Sequence, residues 1–172
     1  MSMTPFTGRV WKFGDNIDTD VLAPGLYMKS PMAELARHCL EAVEPRFARE
    51  VRPGDIVVGG RNFGMGSSRE QAVMALRELG VAAVLAPTFA GIFYRNALNL
   101  GLLVLVCPAA QEIPAGAQLT LDPAMASART ETGKTFACEP LPAHLLQMVA
   151  EGGLLPHLEN KLRSQQVREA RR

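Results

Sequence analysis

Gly60-Arg61-Asn62-Phe63-Gly64-Met65-Gly66-Ser67-Ser68-Arg69-Glu70 joins an apolar run, Asp55-Ile56-Val57-Val58-Gly59, to the helical pattern Gln71-Ala72-Val73-Met74-Ala75-Leu76-Arg77-Glu78-Leu79-Gly80. Strand, glycine loop and helix follow in that order. Gly64 and Gly66 free the backbone for conformations that a Cβ forbids and clear space for a close approach. Ser67, Ser68 and Arg69 then sit at the helix start. Unpaired N–H groups and the positive end of the helix dipole favour an anion there, and a guanidinium offers a fork shaped for a carboxylate or phosphate. The stretch therefore reads as an anion site with hydroxyls beside it. Ser67 with Glu70, or Ser68 with Gln71, also has the spacing of a capping box, so the serines divide between helix capping and chemistry. Nucleotide motifs fit poorly. Gly64-Met65-Gly66 lacks the third glycine of a dinucleotide fingerprint, and no Lys-Ser or Lys-Thr pair follows as in a P-loop.

Downstream, Gly80 ends the helix as a C-terminal glycine, and Val81-Ala82-Ala83-Val84-Leu85-Ala86 is an uninterrupted apolar strand of the kind buried on both faces. A second helix spans Phe89 to Leu100 and stops at Gly101, and Leu102 to Val106 forms the next strand. This β-α-β-α-β unit predicts an α/β fold with a parallel sheet and right-handed crossovers, with its ligand beyond the carboxyl ends of the strands, at Gly64 to Arg69. Past Pro108, Ala117 to Leu121 and Lys134 to Cys138 read as a hairpin-like pair packed on the sheet, and Pro142 to Val149 as a last helix interrupted at Gly152-Gly153. Lys161 to Arg172 is basic and reads as a solvated helix end or frayed terminus.

Upstream, Gly8 to Gly14 is a first strand ending in a turn at Asp15-Asn16. Asp15, Asp18 and Asp20 suggest calcium only superficially. No register supplies the glycine and glutamate of an EF-hand loop, and turn-forming aspartates are the simpler reading. Ser30-Pro31 reads as an N-cap with proline at the first position of a helix over Met32 to Leu40. His38 falls on that helix as a satisfied, non-catalytic histidine. Neither His144 nor His157 has metal-ligand spacing to another donor.

A chain of 172 residues with net charge +1 fits one domain, 1–172, with an adequate core, and disfavours nucleic acid or an anionic membrane as partner. No apolar run approaches the ~20 residues of a membrane span, and no basic-then-apolar leader opens the sequence, so the expected location is the cytoplasm. Cys39, Cys107 and Cys138 are three, widely spaced and without a Cys-x-x-Cys pair, which disfavours a disulfide framework or a metal site on this chain.

Asn62-Phe63-Gly64-x-Gly66-Ser67-Ser68-Arg69-Glu70, with Ala86-Pro87-Thr88-Phe89-Ala90-x-Ile92-Phe93-Tyr94-Arg95-Asn96, Asn99-x-Gly101-Leu102 and Gly14-Asp15-Asn16-Ile17-Asp18-Thr19-Asp20, resembles the small subunits of 3-isopropylmalate dehydratase and their homoaconitase and dimethylmalate dehydratase relatives. These are similar to the swivel domain of aconitase. The resemblance implies a single swivelling β/β/α domain and reversible dehydration of a small hydroxy acid by a two-chain enzyme, as in 3-isopropylmalate/2-isopropylmalate isomerisation in leucine biosynthesis. A large subunit would carry the [4Fe-4S] cluster, and this chain would hold no cofactor. It further implies Ser67 as the catalytic base, Arg69 gripping a substrate carboxylate, Ser68 and Asp20 beside the substrate, Asn62, Gly64 and Gly66 shaping the loop, and Tyr27 to Lys29 reading the variable substrate group. Lys29 stands where homoaconitase-like chains carry a carboxylate-reading arginine, whereas Met28 offers apolar surface, so the substrate stays open between these relatives. Two positions depart from the family pattern, Met65 for a common cysteine and Gln71 for a frequent histidine. The alternative from another class is a non-catalytic anion-binding α/β module.

Overall fold

A computed structural model describes residues 3–170. Four parallel strands form its centre: β1 (Phe6–Lys12), β2 (Ile56–Val58), β3 (Ala83–Ala86) and β4 (Leu103–Val106). Every residue of β2 and β3 is buried, as their unbroken Ile, Val, Leu and Ala runs require of strands covered on both faces. The chain steps in one direction across these strands, so right-handed crossovers put the connecting helices on one face. Those helices are α1 (Thr19–Leu22), α2 (Met32–Ala36), α3 (Phe47–Glu50), α4 (Gln71–Glu78) and α5 (Gly91–Asn99). Gly80 and Gly101, at φ +81° and +77°, take the left-handed conformation that closes α4 and α5.

After β4 the direction of the sheet reverses. β5 (Gln118–Asp122) pairs antiparallel with β1, then β6 (Ser127–Thr130) and β7 (Thr135–Ala137) extend the order to β4-β3-β2-β1-β5-β6-β7. The sheet curls until the chain leaving β7 meets β4, where the Glu139 amide donates to the Val106 carbonyl at 2.7 Å. The second face of the parallel strands is buried inside this curl. The expected hairpin of 117–121 with 134–138 is corrected here: those segments are β5 and β7, and β6 lies between them. β6 escapes sequence reading because Ser127-Ala128-Arg129-Thr130 has no apolar alternation, and it becomes a strand only through the ladders on its two sides.

Two cap assignments also need correction. Pro31, not Ser30, precedes α2, no side-chain cap bond forms there, and the helix stops at Ala36. Helix α4 begins at Gln71 after Glu70, again without a side-chain cap bond, so neither Ser67 nor Ser68 closes a capping box. The C-terminal segment forms α6 (Ala143–Ala150) and α7 (Leu154–Ala170), separated at Gly152-Gly153. No residue of α7 is buried, which matches a solvated helix end, and positions 171 and 172 of the basic tail lie outside the described residues.

Candidate active site

Three loops meet at the carboxyl ends of β1, β2 and β3. The loop after β1, Asp15 to Asp20, runs parallel to the loop after β2, Gly60 to Ser67. Backbone bonds join them from end to end: Gly60 N to Gly14 O (2.9 Å), Asn16 N to Arg61 O (2.8 Å), Gly64 N to Ile17 O (2.7 Å) and Thr19 N to Met65 O (2.8 Å). The aspartates of the first loop hold amides as turn formers do. Asp15 accepts from Arg61 N at 2.7 Å, Asp18 caps α1 through Val21 N at 2.7 Å, and Asp20 accepts from Gly25 N at 3.0 Å. From the other side, the loop after β3 supplies Thr88, whose Oγ1 accepts from Asn62 N at 2.7 Å. Asn62 itself adopts φ +59°, and its side chain donates to Asn16 Oδ1 and Met65 Sδ. Asn62 thus shapes the loop through both backbone and side chain.

Gly66, at φ +110°, could not carry a side chain, since a Cβ would stand 2.8 Å from Thr19 Oγ1. Ser67 follows with its amide donating to Thr19 Oγ1 at 3.1 Å and its Oγ 3.2 Å from the same oxygen. Ser67 and Ser68 are exposed, and the Ser68 carbonyl accepts from Asn96 Nδ2 of α5 at 3.2 Å. Arg69 is largely buried, with 23% of its side chain accessible, against 70% for Asp20. Its Nη1 donates to Asp20 Oδ1 at 2.9 Å and to the Ala23 carbonyl at 2.8 Å. Both anchors fall on one nitrogen, so they fix the plane of the guanidinium and leave the Nη2 side of the fork for another carboxylate. The Arg69 hydrogen bond, followed by the Gly25 amide, lowers the affinity of Asp20 for a proton and holds its carboxylate ionised.

Tyr27 and Lys29 lie beyond α1, on and just after the 3-10 turn Gly25–Tyr27, and Lys29 is exposed without an ion-pair partner among the described residues. Tyr27 stacks on His38, ring centroids 3.5 Å apart at 3°, while His38 bonds Glu41 at 2.7 Å and Glu34 at 3.4 Å. The Glu41 hydrogen bond, reinforced by Glu34, raises the His38 pKa above its usual 6.5. A raised folded-state value means that His38 stabilises the fold fully below the unfolded pKa and loses that contribution as pH rises through the folded value. Comparing wild type with His38→Asn, the difference in urea midpoint should be largest near pH ~6 and shrink as pH rises past the folded pKa. A difference that does not change with pH would mean that folding leaves the His38 pKa unraised.

Structure thus brings Ser67, Ser68, Arg69, Asp20, Asn62, Gly64 and Gly66 into one surface, with Tyr27 and Lys29 on the adjoining turn. Thr19, Thr88 and Asn96 lie within the motifs quoted above, but no role could be read for them there, because each acts through a contact between loops more than twenty residues apart. The donors for an iron–sulfur cluster do not assemble. Cys39 and Cys107 are buried, with burial pushing the Cys39 thiol pKa up, and Cys138 is half-buried. Among the described residues no group of three or more His, Cys, Asp or Glu side chains could hold a metal, and no helix is long and apolar enough to cross a membrane.

A parallel α/β sheet that carries a serine–arginine loop on its strand ends and curls into an antiparallel extension defines a swivel-type domain of the aconitase class. Residues 40–110 match the aconitase C-terminal domain. The chain is 46% identical over 164 residues to the 3-isopropylmalate dehydratase small subunit of Nautilia profundicola, covering 94% of this chain and 98% of that one. It is also 46% identical over 152 residues to the methanogen homoaconitase small subunit of Methanothermobacter thermautotrophicus, covering 87% and 88%. The crystal structure of 3-isopropylmalate dehydratase from Methanocaldococcus jannaschii superposes with a TM-score of 0.90 at 38% identity, over 96% of this chain and 99% of that one. The chain belongs to the family of 3-isopropylmalate dehydratase small subunits within the aconitase superfamily.

Proposed function

We propose that this chain is the small subunit of a cytoplasmic two-chain hydro-lyase that interconverts 3-isopropylmalate and 2-isopropylmalate, acting as one swivel domain over 1–172. The observation that carries this reading is the placement of Ser67. Its hydroxyl is solvent-exposed, held at Thr19, and followed two residues later by a guanidinium with an unused donor edge. In the proposed reaction Arg69 binds a substrate carboxylate. Ser67 Oγ, as the alkoxide, takes a proton from the carbon next to the hydroxyl-bearing one while the hydroxyl leaves with its bonding electrons as hydroxide. In the rehydration hydroxide adds to one carbon of the double bond and Ser67 Oγ returns its proton to the other, restoring the alkoxide. The [4Fe-4S] cluster of the family is assigned to a large subunit, where it supplies Lewis-acid chemistry.

An open half-site supports the need for that partner. Leu26, on the turn beside Asp20, is 84% exposed, and Ile92, in the first turn of α5, is 48% exposed. Two apolar side chains on the rim of a polar loop suit a surface covered by another chain. The test is hydratase activity of this chain co-purified anaerobically with a cluster-loaded large subunit, assayed on isopropylmalate, citraconate, dimethylmalate and homoaconitate. Turnover led by isopropylmalate supports the proposal, and absence of turnover with any of them transfers the reading to an anion-binding module.

Lys29 supports a second substrate reading, a homoaconitase-like one, because a free cation on the substrate turn suits an additional carboxylate. In the active complex, Lys29→Leu is expected to lower kcat/KM for a substrate with a distal carboxylate by about tenfold relative to isopropylmalate, the scale of one exposed charge-assisted hydrogen bond. An unchanged substrate ranking would return Lys29 to the role of a solvated lysine.

A further inference from the structure

We infer that Thr19 is the positioning residue of the Ser67 base, its hydroxyl proton directed at Ser67 Oγ; this rests on the proposed hydro-lyase role of Ser67. Thr19 is 3% exposed, one of few buried polar residues, although it stands at the head of a four-residue helix on the protein surface. Its backbone is pinned by the Met65 carbonyl on one side and the Ala23 amide on the other. The two parallel loops bond through Gly64 N–Ile17 O and Thr19 N–Met65 O. At the next rung the Thr19 side chain replaces a backbone carbonyl and accepts the Ser67 amide at 3.1 Å.

The direction of the remaining proton follows from counting. A threonine hydroxyl has one proton and two lone pairs, and the Ser67 amide occupies one lone pair. Ser67 Oγ, at 3.2 Å, is the only side-chain acceptor paired with Thr19 Oγ1 among the described residues. Pointing the proton elsewhere would leave a buried donor unsatisfied, which costs more than the bond it would otherwise make. Thr19 therefore donates to Ser67 Oγ, and the Ser67 proton turns outward to the exposed side, where substrate binds. When that proton is lost, the Thr19 bond becomes charge-assisted and strengthens, so it favours the alkoxide over the hydroxyl.

Among the described residues no acidic side chain takes this place. Asp18 holds the Val21 amide, Asp20 and Arg69 pair with each other, and Glu70 at the start of α4 has no bond to Ser67. Asn96, from α5, reaches only the Ser68 carbonyl. Gly66 is the condition for the contact, since a Cβ there would collide with Thr19 Oγ1.

The test compares wild type, Thr19→Val, Thr19→Ser and Ser67→Ala in the complex with the large subunit, and follows the Ser67 amide by NMR in the full chain alone. Thr19→Val should lower kcat about ten- to hundred-fold with KM within about twofold, and move the alkaline-rising limb of the pH profile to higher pH. Thr19→Ser should restore both. In wild type the Ser67 amide should exchange slowly, and in Thr19→Val it should exchange faster and move upfield. A wild-type kcat and an unmoved limb in Thr19→Val, or a Thr19→Ser variant no better than Thr19→Val, overturns the inference. A freely exchanging Ser67 amide in wild type overturns it without any variant having to fold. Retained activity in Ser67→Ala would instead refute the role of Ser67, so the two failures are separable.

Discussion

Ser67→Ala in the assembled enzyme is expected to lower kcat by about 10³-fold or more while KM changes by no more than about threefold. The size follows from what is removed. A positioned base contributes about 10²- to 10⁴-fold, and no second group in this loop has both the exposure and the geometry to replace it. Ser68 is exposed, but among the described residues its hydrogen bond is made through its backbone carbonyl and not its hydroxyl. The split between kcat and KM follows from where the binding groups lie. Arg69 is fixed by Asp20 Oδ1 and the Ala23 carbonyl, neither of which touches Ser67, so carboxylate binding survives the substitution. Stability should fall by only about 1 kcal/mol, because the Thr19 proton loses its acceptor while the Ser67 amide still donates to Thr19 Oγ1. Steady-state kinetics on the co-purified complex decide this. A kcat within tenfold of wild type would make Ser67 a loop residue only.

A large effect on kcat beside a small one on stability separates a catalytic loop from a structural one. That separation is visible in how differently sequence and structure describe the two. The strands β2, β3 and β4 were legible because burial on both faces forces continuous apolar runs, and Gly80 and Gly101 marked helix ends because the left-handed conformation favours glycine. The placement of Gly64 to Arg69 at the strand ends followed from the β-α-β order alone. β6 was illegible for the opposite reason, since its four residues carry no pattern of their own and are ordered by β5 and β7.

The serines show the limit most clearly. Ser67 and Ser68 have capping-box spacing, yet α4 starts too late for either to reach its free amides, and the Ser67 amide bonds Thr19 instead. Local spacing cannot report a competitor that arrives from 48 residues away. Thr19 was hidden similarly, between two aspartates whose turn-forming role accounts for the segment by itself. Asp20 was placed beside the substrate by resemblance, and the structure puts it on Arg69. The two placements are compatible, because a carboxylate that orients the guanidinium sits next to whatever the guanidinium grips.

Gly64→Ala is expected to destabilise the chain by about 2–5 kcal/mol and to abolish activity of the assembled complex. Two costs add. At φ +81° an L-residue meets its own carbonyl, a penalty of about 1–2 kcal/mol. A Cβ built there would also lie 2.1 Å from Cγ, 2.4 Å from Cβ and 2.6 Å from Cδ2 of Phe93. Overpacking of that kind costs about 1–3 kcal/mol, because the neighbour has nowhere to go. Phe93 is 2% exposed and meets Phe63 edge-on, centroids 5.4 Å apart, while stacking on Phe89 at 6.3 Å. Relief by moving the loop instead would break Gly64 N–Ile17 O and displace Thr19 from Met65, carrying Ser67 away from its partner. Activity therefore falls by either route, since about 1 Å of misplacement at a reacting group can cost on the order of 10²-fold. Gly91→Ala is the matched control. Gly91 opens α5, its φ is not positive, and a Cβ there meets nothing within 4 Å, so alanine should be neutral or stabilising by up to about 1 kcal/mol. Urea unfolding of the two variants beside wild type reads both effects. Phe93→Ala combined with Gly64→Ala should cost less than the two single changes added, because the collision is lost with the ring. Strict additivity would assign the whole penalty to the backbone and leave the ring no part in setting the loop.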